Sequence, residues 1–266
     1  MSLLVLGSVG STMDVARQML RTGQTVWDSQ QIPVPSGVQA LEQTQGRGQR
    51  GRTWYAQPGQ SLCCTLFLPL LPEEAAAPAW IALAAGAAAL NAVQRALALE
   101  PPAEPVELGL KWPNDLLLNS KKLGGVLIEL AVEPSGETVA LVGIGINLAC
   151  MHFPAEIAEH STSLALAGIT PPSARQMAEL VDDCLRMQVE AVRANGTRGL
   201  LRLWREHDKT VGRSYRAEGP NGSELGTALG IDEHGALILR LDSGATLAIQ
   251  SAAVITEEPA GGSIDR

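Results

Sequence analysis

Aromatic side chains are scarce in this 266-residue chain, which has five Trp, two Tyr and two Phe. Ala, Leu and Val must therefore fill the core. Cysteine is scarcer still. Cys63, Cys64, Cys150 and Cys184 fit no zinc-site spacing and no secreted disulfide framework, so a reducing cytoplasm is the expected setting. Cys63 and Cys64 are adjacent in a strand-like run and should point to opposite faces. All four read as small core side chains. No secretory leader is expected, since Met1 leads into Leu3-Leu4-Val5-Leu6, too short for an apolar leader core and without a basic flank. One long apolar stretch, Ala75 to Leu99, is broken by Pro, Gln, Asn and Arg and reads as a buried helix, not a membrane span. His152, His160, His207 and His234 are scattered and suggest no shared site. Positive charge is in deficit overall. A net charge of -8 and a pI near 5.1 argue against a general nucleic-acid binder.

The sharpest absence is local. From Gln43 to Pro72 there is no Asp or Glu, yet Gly46-Arg47-Gly48-Gln49-Arg50-Gly51-Arg52 places three arginines among three glycines. Uncompensated charge on glycine-rich backbone, against the sign of the chain, suggests a loop that closes over an anion. Glycines let main-chain N–H groups approach a ligand, and arginine's planar fork suits phosphate or carboxylate. Trp54 offers a face on which a purine could stack. The plainer alternatives are a solvated loop or an RGG-like RNA-binding segment.

With 45% hydrophobic and 18% charged residues, the chain is long enough for one large core and a smaller module. Leu3 to Gly7 is a strand candidate. Ser11 or Thr12 then caps a helix of about three turns that ends near Gly23. Thr25–Asp28, Val38–Gln43 and Ser61–Leu68 read as strands, Pro72–Pro78 as a turn and helix start, and Trp80–Leu99 as a helix across the sheet. Leu108 to Asn119 runs from strand through a Trp112-Pro113-Asn114-Asp115 corner into another strand, with Pro113 fixing the corner. Lys111 sits between Leu110 and Trp112, where an ordinary surface lysine is not expected. Leu123–Val132 and Thr138–Leu148 are further strands, the second ending at the polar Asn147. Helices follow at Gln176–Val192 and Arg198–His207. After Gly212, short alternating strands at Ser214–Ala217, Thr227–Ile231, Leu237–Leu241 and Thr246–Ile249 suggest a small β-barrel.

Gly46 to Trp54, Lys111-Trp112-Pro113-Asn114-Asp115-Leu116, Lys122-Leu123-Gly124-Gly125-Val126-Leu127-Ile128-Glu129 and Gly143-Ile144-Gly145-Ile146-Asn147 together resemble the biotin–protein ligase signature, in its order, with Ser11-Thr12 ahead of a helix. Four elements in order are far more specific than any one. The resemblance implies an α+β chain, a mixed β-sheet flanked by helices in the class II synthetase-like biotin/lipoate ligase fold. A small C-terminal SH3-like β-barrel would follow it. The expected division is a catalytic domain over 1–208, the β-domain over 209–258 and a disordered tail over 259–266.

The resemblance also implies a chemistry. Biotin and ATP with Mg²⁺ would give biotinyl-5′-AMP, and a lysine of a biotin carboxyl carrier protein would then take the biotin. Lys111 would contact both the biotin carboxyl group and the α-phosphate, and Arg52 would share the catalytic work. Ser11, Thr12 and Gln43, with backbone groups of Arg47 and Gly48, would bind biotin. Arg50, Arg52, Trp54, Asn114, Asp115 and Asn147 would lie on the nucleotide side. No metal ligand is firmly assigned; Asp115 is the candidate, and it could equally orient Lys111 or pin the turn. Met13 and Gln49 depart from the family pattern, which often has Asn and Arg there. With Ser11-Thr12 so near the start, no DNA-binding domain and no operator DNA are expected, nor a membrane; a homodimer stays open. A lipoate or octanoate ligase shares the fold, but its Arg-Arg-x-x-Gly-Gly-Gly pattern is absent. A non-catalytic RNA- or protein-binding module is the reading from a different class.

Overall fold

In the computed structural model, which describes residues 2–27, 33–76, 78–219, 222–250 and 255–258, strand β1 (Leu3–Val9) leads into helix α1 (Thr12–Arg21). The Ser11 hydroxyl caps α1 by accepting from the Met13 N–H at 3.3 Å. Gly23, at φ 65°, supplies the left-handed residue that ends it. The two-residue strands β2 (Val26–Trp27) and β3 (Pro33–Val34) pair with each other, and β4 (Gly37–Gln43) precedes the arginine loop. Then come β5 (Ser61–Pro69), α2 (Pro72–Ala76), α3 (Ala79–Leu99), β6 (Leu108–Lys111), β7 (Asp115–Leu118), β8 (Lys121–Val132) and β9 (Thr138–Asn147). The helices α4 (Ala155–Ala158), α5 (Ala174–Asn195) and α6 (Arg198–His207) follow. Strands β10 (Ser214–Gly219), β11 (Gly222–Ile231), β12 (Leu237–Leu241), β13 (Thr246–Ile249) and β14 (Ile255–Glu258) complete the described chain.

Seven strands form the main sheet, in the order β1-β4-β5-β9-β8-β7-β6. Only the β1–β4 pair is parallel, so the sheet is mixed, as expected. Strand alternation divides the core between its faces. Ala140, Val142, Ile144 and Ile146 of β9 pack into the cluster that holds α3, α5 and α6. Val139 and Leu141 face α1 instead, beside Met13, Ala16, Met19 and Leu20. Helix α3 is long and apolar enough to cross a membrane by length and composition, but most of its apolar window is buried inside the fold. It meets α6 closely. A side chain at Gly86 would come within 3.0 Å of the Trp204 ring, whose indole N–H donates to the Leu83 carbonyl at 2.8 Å.

The α1 face carries the sequence's most consequential glycines. Gly143 and Gly145 continue the alternation of Val139 and Leu141. A Cβ at Gly143 would sit 2.8 Å from Met13 Cε, and one at Gly145 would sit 2.5 Å from the Trp54 indole. Without side chains there, the sheet is recessed beyond the end of the α1 core, and the indole lies against its backbone.

The expected C-terminal barrel is an open antiparallel sheet among the described residues, in the order β13-β12-β11-β10-β14, with no pairing between β13 and β14. Strand β14 is an addition to the sequence reading. Its two glutamates are poor strand formers, which hid it. Asp28, the Pro220-Asn221 turn, the 259–266 tail and Ser251 to Ala253 lie outside the described residues.

Candidate active site

A cavity of about 1130 Å³ opens between the start of α1, the arginine loop, the recess on β9, the Lys111 corner and the C-terminal sheet. That exceeds the roughly 300–1,000 Å³ usual for a single small molecule. Every residue singled out from the sequence for the site borders it.

The α1 wall is a chain of neutral donors and acceptors. Gln43 Oε1 accepts from the Thr12 N–H at 2.8 Å and from the Thr12 hydroxyl at 3.0 Å. The Thr65 hydroxyl donates to Thr12 Oγ1 at 2.9 Å. Ser11 and Thr12 are both buried. Thr65 was not anticipated, though a lone hydroxyl in the apolar run Leu62–Leu68 was a readable signal.

The arginine loop is a tight hairpin closed by its own backbone. Trp54 N–H donates to the Gly46 carbonyl at 2.9 Å, and Gly48 N–H to the Arg52 carbonyl at 2.7 Å. Gly46 admits no side chain, since a Cβ would lie 2.7 Å from the Trp54 carbonyl oxygen. Arg50 and Gly51 both take left-handed backbone, at φ 59° and 72°, a conformation most residues avoid.

Its cations divide. Arg47 donates to Asp14 Oδ1 at 2.8 Å and lies 3.6 Å from Glu129, so its side chain anchors the loop to α1 and β8. Arg17 ties the same two carboxylates together. Burial and the neighbouring Arg52 both push the Arg50 guanidinium below its ordinary value. Like charges held this close favour an anion between them. The Trp54 indole nitrogen is buried, with the Cys63 thiol as its weak partner.

The corner is fixed from behind. Lys111 ends β6 and Asp115 begins β7 as its Cα partner. The intervening Trp112 is buried; its N–H donates to Thr210 Oγ1 at 2.8 Å and its indole N–H to the Gly235 carbonyl at 3.0 Å. Lys209 N–H donates to the Leu110 carbonyl at 2.8 Å. The Asn114 amide donates to the Val126 carbonyl at 2.6 Å, so this side chain ties the corner to β8. Asp115 pairs with Lys122 at 2.6 Å, which leaves Lys111 to another carboxylate. No group of three or more His, Cys, Asp or Glu that could hold a metal ion occurs among the described residues. Asn147 donates to the Thr162 carbonyl at 3.0 Å. It is 4% exposed, and its Oδ1 has no partner, an acceptor left open beside the cavity.

The carboxylate on Lys111 is Glu257, from β14. Arg213 holds its other oxygen at 2.5 Å. Burial opposes the charge of Glu257, but hydrogen bonds from Lys111 and Arg213 outweigh it and hold the carboxyl below the usual range. Tyr215, also at the cavity, has a buried hydroxyl without a partner, and burial pushes its pKa upward. Glu257, Arg213 and Tyr215 belong to no motif and were missed. Only the pairing of β10 with β14 brings them here. Phe153, whose ring packs 6.3 Å from Tyr55, was missed likewise. His160, given no role from the sequence, also borders the cavity.

These features define a large cavity lined by cations and polar side chains, and comparison with known proteins gives the family. Residues 12–148 match the Biotin/lipoate A/B protein ligase family, and residues 210–256 match the biotin protein ligase C-terminal domain. The chain belongs to the biotin/lipoate A/B protein ligase family. It is 32% identical over 217 residues to the biotin–[acetyl-CoA-carboxylase] ligase of Mycobacterium tuberculosis, covering 81% of this chain and 77% of that protein. It is 30% identical over 210 residues to the bifunctional ligase/repressor BirA of Bacillus subtilis, covering 78% of this chain and 62% of that longer protein. The crystal structure of biotin protein ligase from Leishmania major in complex with biotinyl-5-AMP superposes with a TM-score of 0.61 at 27% identity, covering 94% of this chain and 98% of that one.

Proposed function

We propose that this protein is a biotin–protein ligase: it activates biotin with ATP to biotinyl-5′-AMP and passes biotin to a lysine of a biotin carboxyl carrier protein. The observation that carries this is the position of Lys111, on one cavity with the neutral Thr12–Gln43–Thr65 chain and the cationic loop. Biotin's ureido ring is a neutral donor–acceptor group and suits the first; its carboxylate and a triphosphate suit the others. The Leishmania neighbour, a complex with biotinyl-5-AMP, and the Mycobacterium relative's name support the same substrates.

The two substrates repel until a cation stands between them. Lys111 takes that position. A biotin carboxylate oxygen attacks the α-phosphorus, the bond to the β-phosphate oxygen breaks, and pyrophosphate leaves. Charge builds on the α-phosphoryl oxygens, where Lys111 and Arg52 stabilise it. Ser11, Thr12 and Gln43, with the backbone of Arg47 and Gly48, hold the ureido ring. Arg50 and Trp54 cover the nucleotide side, and Asn147 Oδ1 accepts a hydrogen bond from it. The loop excludes water from the mixed anhydride. A carrier lysine amine then attacks the anhydride carbonyl, its proton is lost, and AMP leaves. Mg²⁺ bound with ATP would supply countercharge to the triphosphate, and Asp115, which pairs with Lys122, is the corner carboxylate that would hold it. In this reading residues 1–208 are the catalytic domain and 209–258 the C-terminal β-domain. The work is done in the cytoplasm.

Pyrophosphate release from ATP tests the assignment, with biotin or lipoate as the second substrate, followed by transfer to a biotin carboxyl carrier protein. Release with biotin alone, and a biotinylated carrier, is expected. Release driven by lipoate would assign the lipoate branch. Tight RNA binding with no release would assign a binding module.

A further inference from the structure

The wall nearest Lys111 comes from the C-terminal sheet, and its charges have no part in the chemistry above. Glu257 and Tyr215 are Cα partners across β14 and β10, so their side chains share a face, and both border the cavity. Glu257 pairs with Lys111 through one oxygen and with Arg213 through the other. The pair is only part-exposed, with Lys111 at 22% and Glu257 at 29%, so solvent screens it incompletely. The ligase reading needs Lys111 to face a substrate carboxylate and a phosphate. In this structure a carboxylate of the protein already occupies it. Glu257 has Arg213 to fall back on, so giving up Lys111 leaves no unpaired charge behind.

We propose that Glu257 is a positioning residue supplied by the C-terminal sheet. It holds Lys111 until an anionic ligand displaces it onto Arg213 alone. The ligand's identity rests on the ligase reading; the exchange itself needs only an anion. Glu257 and the nucleotide then compete for one ammonium group, and apparent affinity falls with the fraction of Lys111 that is parked.

Glu257→Gln keeps the shape and removes the charge. Two readouts decide: acylation of Lys111 by acetic anhydride in the ligand-free protein, located by peptide mass, and calorimetric affinity for Mg-ATP and for inorganic pyrophosphate. With the pairing carboxylate gone the amine is left uncovered, so Lys111 should acylate roughly fivefold faster. Both anions should bind roughly fivefold tighter, with KM for ATP falling and kcat changing less than about twofold. Glu257→Asp draws the charge back and should give a smaller shift of the same sign; it serves as the test if the Gln variant does not fold. Unchanged acylation means there is no such pair in solution and overturns the proposal. Faster acylation with unchanged or weaker anion binding also overturns it, since Glu257 would not be competing. If ATP binds neither protein but pyrophosphate still binds the variant more tightly, the ligase reading fails and the exchange stands.

Discussion

The arginine loop at 46–54 and the lysine corner at 111–115 face one cavity but are held in opposite ways. The loop closes on its own backbone, through Gly46–Trp54 and Gly48–Arg52 bonds, and two of its contacts with the rest of the fold are the Arg47 anchor and the Trp54 indole lying on Gly145. The corner is tied outward instead: to Thr210 and Gly235 through Trp112, and to β8 through Asn114. Segments with few buried apolar contacts open at low free energy, and those with many open only with the whole fold. On that principle the corner is the part expected to keep its charge in place, and the loop the part expected to open.

Damage to the corner should appear as lost stability, and damage to the loop as lost retention of ligand. The largest effect expected is from Trp112→Ala, which deletes a buried ring and its bond to Gly235; about 3–5 kcal/mol of stability should go, read by denaturant unfolding. A loss below about 1 kcal/mol would break the contrast. Next is Lys111→Ala. It should lower biotin-dependent pyrophosphate release by about 10²- to 10³-fold, with the circular dichroism spectrum unchanged; near-normal turnover would remove the lysine from the account.

Gly46→Ala puts a methyl group against the Trp54 carbonyl and should spring the loop. Stability should change by about 1 kcal/mol or less, while equilibrium dialysis should find biotinyl-AMP bound roughly tenfold more weakly. Comparable losses in both would make the loop part of the rigid frame. The smallest effect is expected from Gln49→Arg. One more cation near the phosphate should slow adenylate dissociation by a few-fold, and an unchanged rate in stopped-flow chase would show that position 49 does not face it.

What could be read from the sequence follows the range of the forces involved. The corner was legible because a proline turn between two apolar strands is a local pattern, and α6 because its apolar spacing is local too. The Ser11 cap and the Gly23 stop are also local chemistry. Gly143 and Gly145 were legible only as part of the family signature, and their reason, a helix methionine and an indole lying where side chains would be, appears only when β9 meets α1 and the loop. Glu257 was beyond reach: it is one of two adjacent glutamates in a short acidic strand, 146 residues from the lysine it holds. Family resemblance did not supply it either, since no motif covers it. Arg47 shows the converse case. The resemblance gave its backbone to biotin and its side chain to the closing loop, and only the folded positions of Asp14 and Glu129 turn that side chain into an anchor.

The central claim is that one ammonium, at a corner braced by Trp112, joins the two substrates. A crystal structure with biotin and a non-hydrolysable ATP analogue tests it most directly. The account predicts Lys111 Nζ within hydrogen-bonding distance of both the biotin carboxylate and the α-phosphate, with the loop closed over them. A ligand pair bound elsewhere, or bound here with Lys111 touching neither group, would contradict it.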